Sequence, residues 1–229
     1  MAKAAFSAVV KRTGAAVSMT GEATTSLAAN EYQITDTAKR ILDPDTALSV
    51  IDNGTPQADA DVTINYLFGK VKKVSGNFTG PVTVDASYLP TFTEAEARSF
   101  EINCAREQIE STDFDVSTSH RTRQPGLRDV SGSVGSLDAL QTDIDTGGGA
   151  VVLHTDWDAG TRRVLEILLG SSGAIFRAFV RFKEEKVGGA FDGLIESSYA
   201  WELDAATGTD QTEGSSFGFD SGGGPTGYN

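Results

Sequence analysis

The feature that most constrains the fold is a two-residue periodicity that keeps returning between turn signals. It is clearest at 162–183, where Gly170, Ser171, Ser172 and Gly173 separate an apolar run at 164–169 from a second arm at 174–183. In that arm Phe176, Ala178, Val180 and Phe182 fall on one face, and Arg177, Arg181 and Lys183 on the other. Side chains alternate across a strand, so the spacing suits a half-buried β-hairpin and not a helix. Phe179 interrupts the polar face. An aromatic there is either packed against a second layer or a contact with another chain, and packing is the default.

The same alternation appears along most of the chain. Short β-prone runs lie at 31–35 and 48–51, and Asp52, Asn53 and Gly54 supply the positive-φ chemistry of a tight turn. Val62, Ile64 and Tyr66 alternate with Thr63 and Asn65 before Phe68 and Gly69 turn the chain into 70–74, which reads as another hairpin. Gly80 and Pro81 open a strand over 82–89, closed by Pro90. Thr93 with Glu96 matches a capping box, giving either a brief helical turn or a loop. Phe100, Ile102 and Cys104 share a face of the next strand, which predicts a buried structural thiol.

Further strands are expected at 113–117, 129–137 and 193–203. Asp138 starts the best helix candidate: Gln141 sits at the reciprocal capping position, Leu137, Leu140 and Ile144 form one stripe, and Gly147, Gly148 and Gly149 end it. The expected fold class is all-β with one short helix.

The two ends differ from the middle. Residues 1–28 are rich in Ala, Ser, Thr and Gly with weak periodicity, which suits an extended arm or an edge strand. Residues 204–229 carry Asp204, Asp210, Glu213 and Asp220, many glycines and no Lys or Arg, and are expected to be flexible in isolation. Phe217, Phe219 and Tyr228 are either anchors that order on a neighbouring subunit or idle aromatics. Residues 29–203 are expected to form the main β domain, with 30–92 either part of it or an insertion.

Composition excludes several classes. A chain of 229 residues can bury a core without staples, and no apolar run approaches the roughly 18–20 residues of a membrane span. The first twelve residues have no basic block ahead of their short apolar stretch, so no secretion signal is read there. Cys104 is the single cysteine, which rules out an intrachain disulfide and fits synthesis in the cytoplasm. Lys and Arg number 19 against 32 Asp and Glu, a net charge of −13 that argues against nucleic acid as a ligand.

Catalytic and metal-binding patterns are absent from the sequence. His120 and His154 lack a second histidine or cysteine at metal-ligand spacing. His154, Asp156 and Asp158 have no serine elbow beside them, and a surface loop is the preferred reading. The acidic pairs Asp43/Asp45, Asp59/Asp61, Asp143/Asp145 and Asp156/Asp158 do not follow the calcium-loop pattern and suit turns. Gly147, Gly148 and Gly149 lack the Lys-Ser/Thr of a phosphate loop. No catalytic, cofactor-binding or metal residue is assigned, and the chain is expected not to be an enzyme.

Segments 32–44 (YQITDTAKRILDP), 64–71 (INYLFGKV) and 80–90 (GPVTVDASYLP) together resemble the major tail protein, or tail tube protein, of long-tailed, siphovirus-type bacteriophages. The likeness continues through 112–114 (TDF), 127–135 (LRDVSGSVG), 176–179 (FRAF) and 193–198 (GLIESS), so that it spans about residues 30–203. The order of several weak motifs carries it. What the resemblance implies is a β-sandwich of tail-tube type with extended terminal arms and long loops, and homo-oligomeric hexameric rings that stack into a tube. It also implies other tail proteins as partners, the tape-measure protein among them, DNA only as passing cargo in an acidic lumen, no insertion into a membrane, and residence in the virion. The family brings no catalytic residues.

Two rival readings remain. A capsid-decoration or other β-rich virion protein would share the fold class and the lack of chemistry. A carbohydrate-binding module would use Trp157 and Trp201 as stacking platforms, although Trp201 lies beside Tyr199 and Leu203 in a strand pattern that suits a core.

Overall fold

The computed structural model describes residues 8–110, 123–137, 157–169, 174–189, 195–204, 217–220 and 225–226. In chain order its strands are β1 (Ala8–Thr13), β2 (Val17–Ala28), β3 (Glu31–Ile34), β4 (Ser49–Asp52), β5 (Thr55–Pro56), β6 (Val62–Asn65), β7 (Lys70–Lys73) and β8 (Val82–Tyr88). They continue with β9 (Thr91–Glu110), β10 (Arg123–Leu137), β11 (Arg163–Leu169), β12 (Ala174–Gly189), β13 (Ile195–Leu203), β14 (Phe217–Asp220) and β15 (Pro225–Thr226). The all-β class expected from the alternation is the class observed.

The strands form two sheets. One has eight strands in the order β11-β1-β9-β10-β13-β12-β14-β15, with a further ladder between β11 and β12. That ladder brings the chain of pairings back to its start, so β11, β1, β9, β10, β13 and β12 close a ring in which every pair is antiparallel. Closure of the circuit pairs strand edges that would otherwise be open, although β9 meets β1 only over 91–97 and β10 over 97–110. The second sheet has seven strands in the order β5-β4-β8-β2-β3-β7-β6.

Two neighbouring ribbons carry the chain between the sheets. β1 runs into β2 while β8 runs antiparallel beside them into β9, with Thr13 opposite Thr91 and Val17 opposite Tyr88. At the crossing the Gly14 N–H donates to Pro90 O at 2.8 Å, so the pairing continues through the bend.

Each face of the β11–β12 hairpin feeds a different core. Leu165, Ile167, Phe176, Ala178, Val180 and Phe182 pack with Val130, Val134, Tyr199 and Trp201. On the opposite face Val164 and Phe179 join Ile34, Leu42, Val50, Leu67, Phe68 and Val84 of the seven-stranded half. Phe179 therefore interrupts the polar face because a second layer of the same chain covers it. Full burial of each such side chain is worth about 1.5–3 kcal/mol.

Local turn chemistry behaves as the sequence suggests. Asn53 and Gly54 both have positive φ, 49° and 79°, between the paired residues Asp52 and Thr55. This is the backbone of a type I′ hairpin turn, which Asn-Gly adopts at little cost. β6 and β7 pair as the predicted second hairpin.

Four expectations are corrected. Residues 93–96 are part of β9 and not a helical turn or loop, because a ladder to β1, with Lys11 opposite Thr93 and Val9 opposite Glu96, outweighs one local capping pair. Cys104 is exposed and not buried. Its face was read correctly, but its cross-strand partner Val130 takes the interior position, at 1% exposure. Within 1–28, residues 8–13 and 17–28 are neither arm nor edge strand: β1 lies between β11 and β9, and β2 between β8 and β3. In the expected flexible tail, 217–220 and 225–226 are strands, with β14 paired to β12 of its own chain. The helix expected from Asp138, the strand at 113–117, the turn at 170–173 and Tyr228 lie outside the described residues.

Candidate assembly surface

The β9–β10 ribbon is long enough to leave the body that anchors it. At its base Phe100 and Ile102 are half-buried against the core of the ring, opposite Val134 and Gly132. Beyond them Asn103, Cys104, Ala105 and Arg106 are all exposed in succession. Successive strand residues point to opposite faces, so four exposed neighbours leave both faces of β9 open there, while Val130, opposite Cys104 on β10, stays buried. The ladder continues to Glu110 opposite Arg123, about 26 Å of strand beyond Ile102 at ~3.3 Å per residue.

The body behind the ribbon is held by a buried charge network. Glu166 of β11 accepts from Lys11 of β1 at 2.9 Å and from Arg177 of β12 at 2.8 Å. Burial alone would push its carboxyl upward, but Arg177 and Lys11 outweigh that and hold it below the usual range. Arg177 also donates to Leu67 O at 3.0 Å and lies 5.3 Å from the Phe68 ring centroid, so one guanidinium ties the ring to the seven-stranded sheet. Arg162 makes a second tie, paired with Asp45 and lying 5.7 Å from the Phe179 ring centroid.

A second buried acid is wholly architectural. Asp52 accepts from the backbone N–H of Thr79 and Gly80, both at 3.0 Å, and from Lys73 Nζ at 3.4 Å. Burial would raise its carboxyl, and these donors bring it below the ordinary value. The carboxylate fixes the loop that enters β8. Beside that loop lies an open cleft of about 390 Å³ lined by Tyr32, Phe78, Thr24, Thr79, Pro81 and Thr83.

The residues singled out for chemistry are dispersed. His120, His154, Asp143, Asp145 and Asp156 lie outside the described residues. Asp43 spends its side chain on the Asp45 N–H at 3.1 Å, as a turn-forming aspartate should. Among the described residues no group of three or more His, Cys, Asp or Glu could hold a metal ion, and no helix is long and apolar enough to cross a membrane. Trp201 is 0% exposed, with its ring 6.0 Å from that of Phe176, and so offers no stacking platform. Trp157 is half-buried against the same core. Alternation alone missed the exposed run at Asn103, Cys104, Ala105 and Arg106.

No family model and no curated protein matches the chain. Among solved structures it is similar to a chain in the virion of a native gene transfer agent particle, with 14% identity and a TM-score of 0.39 over 66% of this chain and 95% of that one. It is also similar to a chain in the tail of an empty gene transfer agent particle with C6 symmetry, with 16% identity and a TM-score of 0.40 over 66% of this chain and 96% of that one.

Proposed function

We propose that the chain is a non-enzymatic structural protein of a virion, forming hexameric rings that stack into the tail tube of a long-tailed phage. The observation that carries this reading is the β9–β10 ladder, which runs on past its last pairing with β13 at Ser131 as far as Glu110 opposite Arg123 and exposes Asn103, Cys104, Ala105 and Arg106 on β9. Such an element makes physical sense when another subunit supplies its missing layer. The motifs at 32–44, 64–71 and 80–90 that resemble tail tube proteins point the same way. A net charge of −13 suits a conduit whose wall repels phosphate and lets DNA slide as cargo. In this reading the protein is made in the host cytoplasm and meets the tape-measure protein and other tail proteins during assembly.

Negative-stain microscopy of the purified chain tests the proposal. Stacked rings or tubes with sixfold symmetry are expected. Persistent monomers would overturn it, and closed trimers would favour a capsid-decoration role instead.

A further inference from the structure

Resting on that reading, we propose that β14, with β15 attached, is an exchangeable strand that in the assembly leaves its own chain and fills the same edge of β12 on a neighbouring copy. Along β12, strand β13 ends with Leu203 opposite Val180, the Asp204 N–H donates to Phe179 O at 2.9 Å, and β14 begins with Phe217 opposite Ala178. β11 holds the other edge of β12 from Ala174 to Val180, so β13 and β14 occupy successive positions on one edge. Both run antiparallel to β12 and therefore in the same direction. Between them the chain carries residues 205–216, although the next position on β12 is one step away, ~3.3 Å along the strand.

A connector that only bridged this gap would need very few residues. Fully extended, 205–216 reach about 40 Å at ~3.3 Å per residue, further than the ~30 Å width of a small domain. The segment holds no Val, Leu, Ile, Met or aromatic residue and carries Gly208 and Gly214, which is the composition of a linker. The attachment it serves is slight: β14 has four residues and β15 two, and among the described residues they pair only with β12 and with each other. A longer tether lowers the effective concentration of β14 at its own β12, so a neighbour held nearby competes for it. Exchange keeps every ladder hydrogen bond and adds a chain connection between copies. A second copy is the occupant because the edge at 175–178 already has its complement, in register, in β14. Reciprocal exchange around a closed ring leaves no such edge open.

The test compares the full chain with two connector variants by sedimentation velocity and by circular dichroism. Deleting 207–214 leaves four connector residues, enough to close the gap on the same chain and, at about 13 Å extended, too few to reach another. Replacing 205–216 by a Gly-Ser segment of equal length keeps the reach and discards the sequence. Both variants are expected to melt like the wild type. The deletion variant should associate at least tenfold more weakly, and the Gly-Ser chain like the wild type. If the deletion variant associates like the wild type, the exchange inference fails while the assembly reading stands. Loss of association in the Gly-Ser chain as well would put the contact in the connector itself and overturn the exchange. A wild type that is monomeric throughout defeats both readings. A disulfide trap decides even where the deletion variant does not fold: C104S/I175C chains are mixed with size-tagged C104S/D220C chains, assembled and oxidised. Ile175 and Asp220 are register partners, so a disulfide joining the two kinds of chain is expected. Its absence from assembled material leaves β14 on its own chain and overturns the exchange.

Discussion

Arg177 and Glu166 sit directly opposite each other across the β11–β12 ladder, with Nη2 2.8 Å from Oε2, on the face that meets the seven-stranded sheet. Arg177 carries the pair on to the seven-stranded half by donating to Leu67 O at 3.0 Å. It lies on the polar face that the alternation predicted, but it is covered.

Replacing Glu166 by Gln leaves Arg177 and Lys11 without their counter-charge, at a cost of about 3–5 kcal/mol at neutral pH. Because the folded-state carboxyl lies below its ordinary value of 4.5, its stabilisation is complete above that value and is lost as pH falls through the folded value. Urea unfolding of wild type and E166Q should therefore show a large gap at pH 7 that closes in strong acid. A pH-independent gap would contradict the ion-pair account.

Phe179 is 1% exposed and belongs to the core of the seven-stranded half although it lies on a strand of the ring. Phe179→Ala should cost about 3–5 kcal/mol. Thermal unfolding of this variant, followed by tryptophan fluorescence and by far-ultraviolet circular dichroism, should show one transition shifted downward. An unchanged midpoint would mean that the second layer does not bear on Phe179.

Gly132 has no room for a side chain: a Cβ there would overlap Glu101 O and lie 2.6 Å from a ring carbon of Trp201. Gly132→Ala is expected to destabilise by about 1–3 kcal/mol and to change the Trp201 emission. Wild-type stability in this variant would refute the close approach of β9, β10 and β13.

Cys104 is exposed, so a water-soluble disulfide reagent should label one thiol per chain under native conditions, at a rate near that of a small-molecule thiol. A requirement for denaturant would restore the buried position that alternation alone suggested.

Much of the local structure was legible in the residues. The faces of 174–183, the Asn53-Gly54 turn, the strands at 31–35, 48–51, 62–67 and 82–89, and the core position of Trp201 all follow from period-two patterning and turn chemistry, which act over a few residues. The projecting ribbon was only half legible. Alternation through Phe100 and Ile102 gave the strand, but exposure at Cys104 depends on where the ring stops covering it.

What the amino-acid order determined by itself is which residues share a face and where the chain turns. Only the tertiary structure decided which strands meet: that β1 and β2 are interior, that β11 closes on β12 as well as β1, that Phe179 finds a second layer, and that β14 returns to β12. The physical reason is that alternation encodes a strand's two faces and says nothing about its two edges. The edges are satisfied by backbone hydrogen bonds to segments far away in sequence, and those are chosen by the burial of the whole chain.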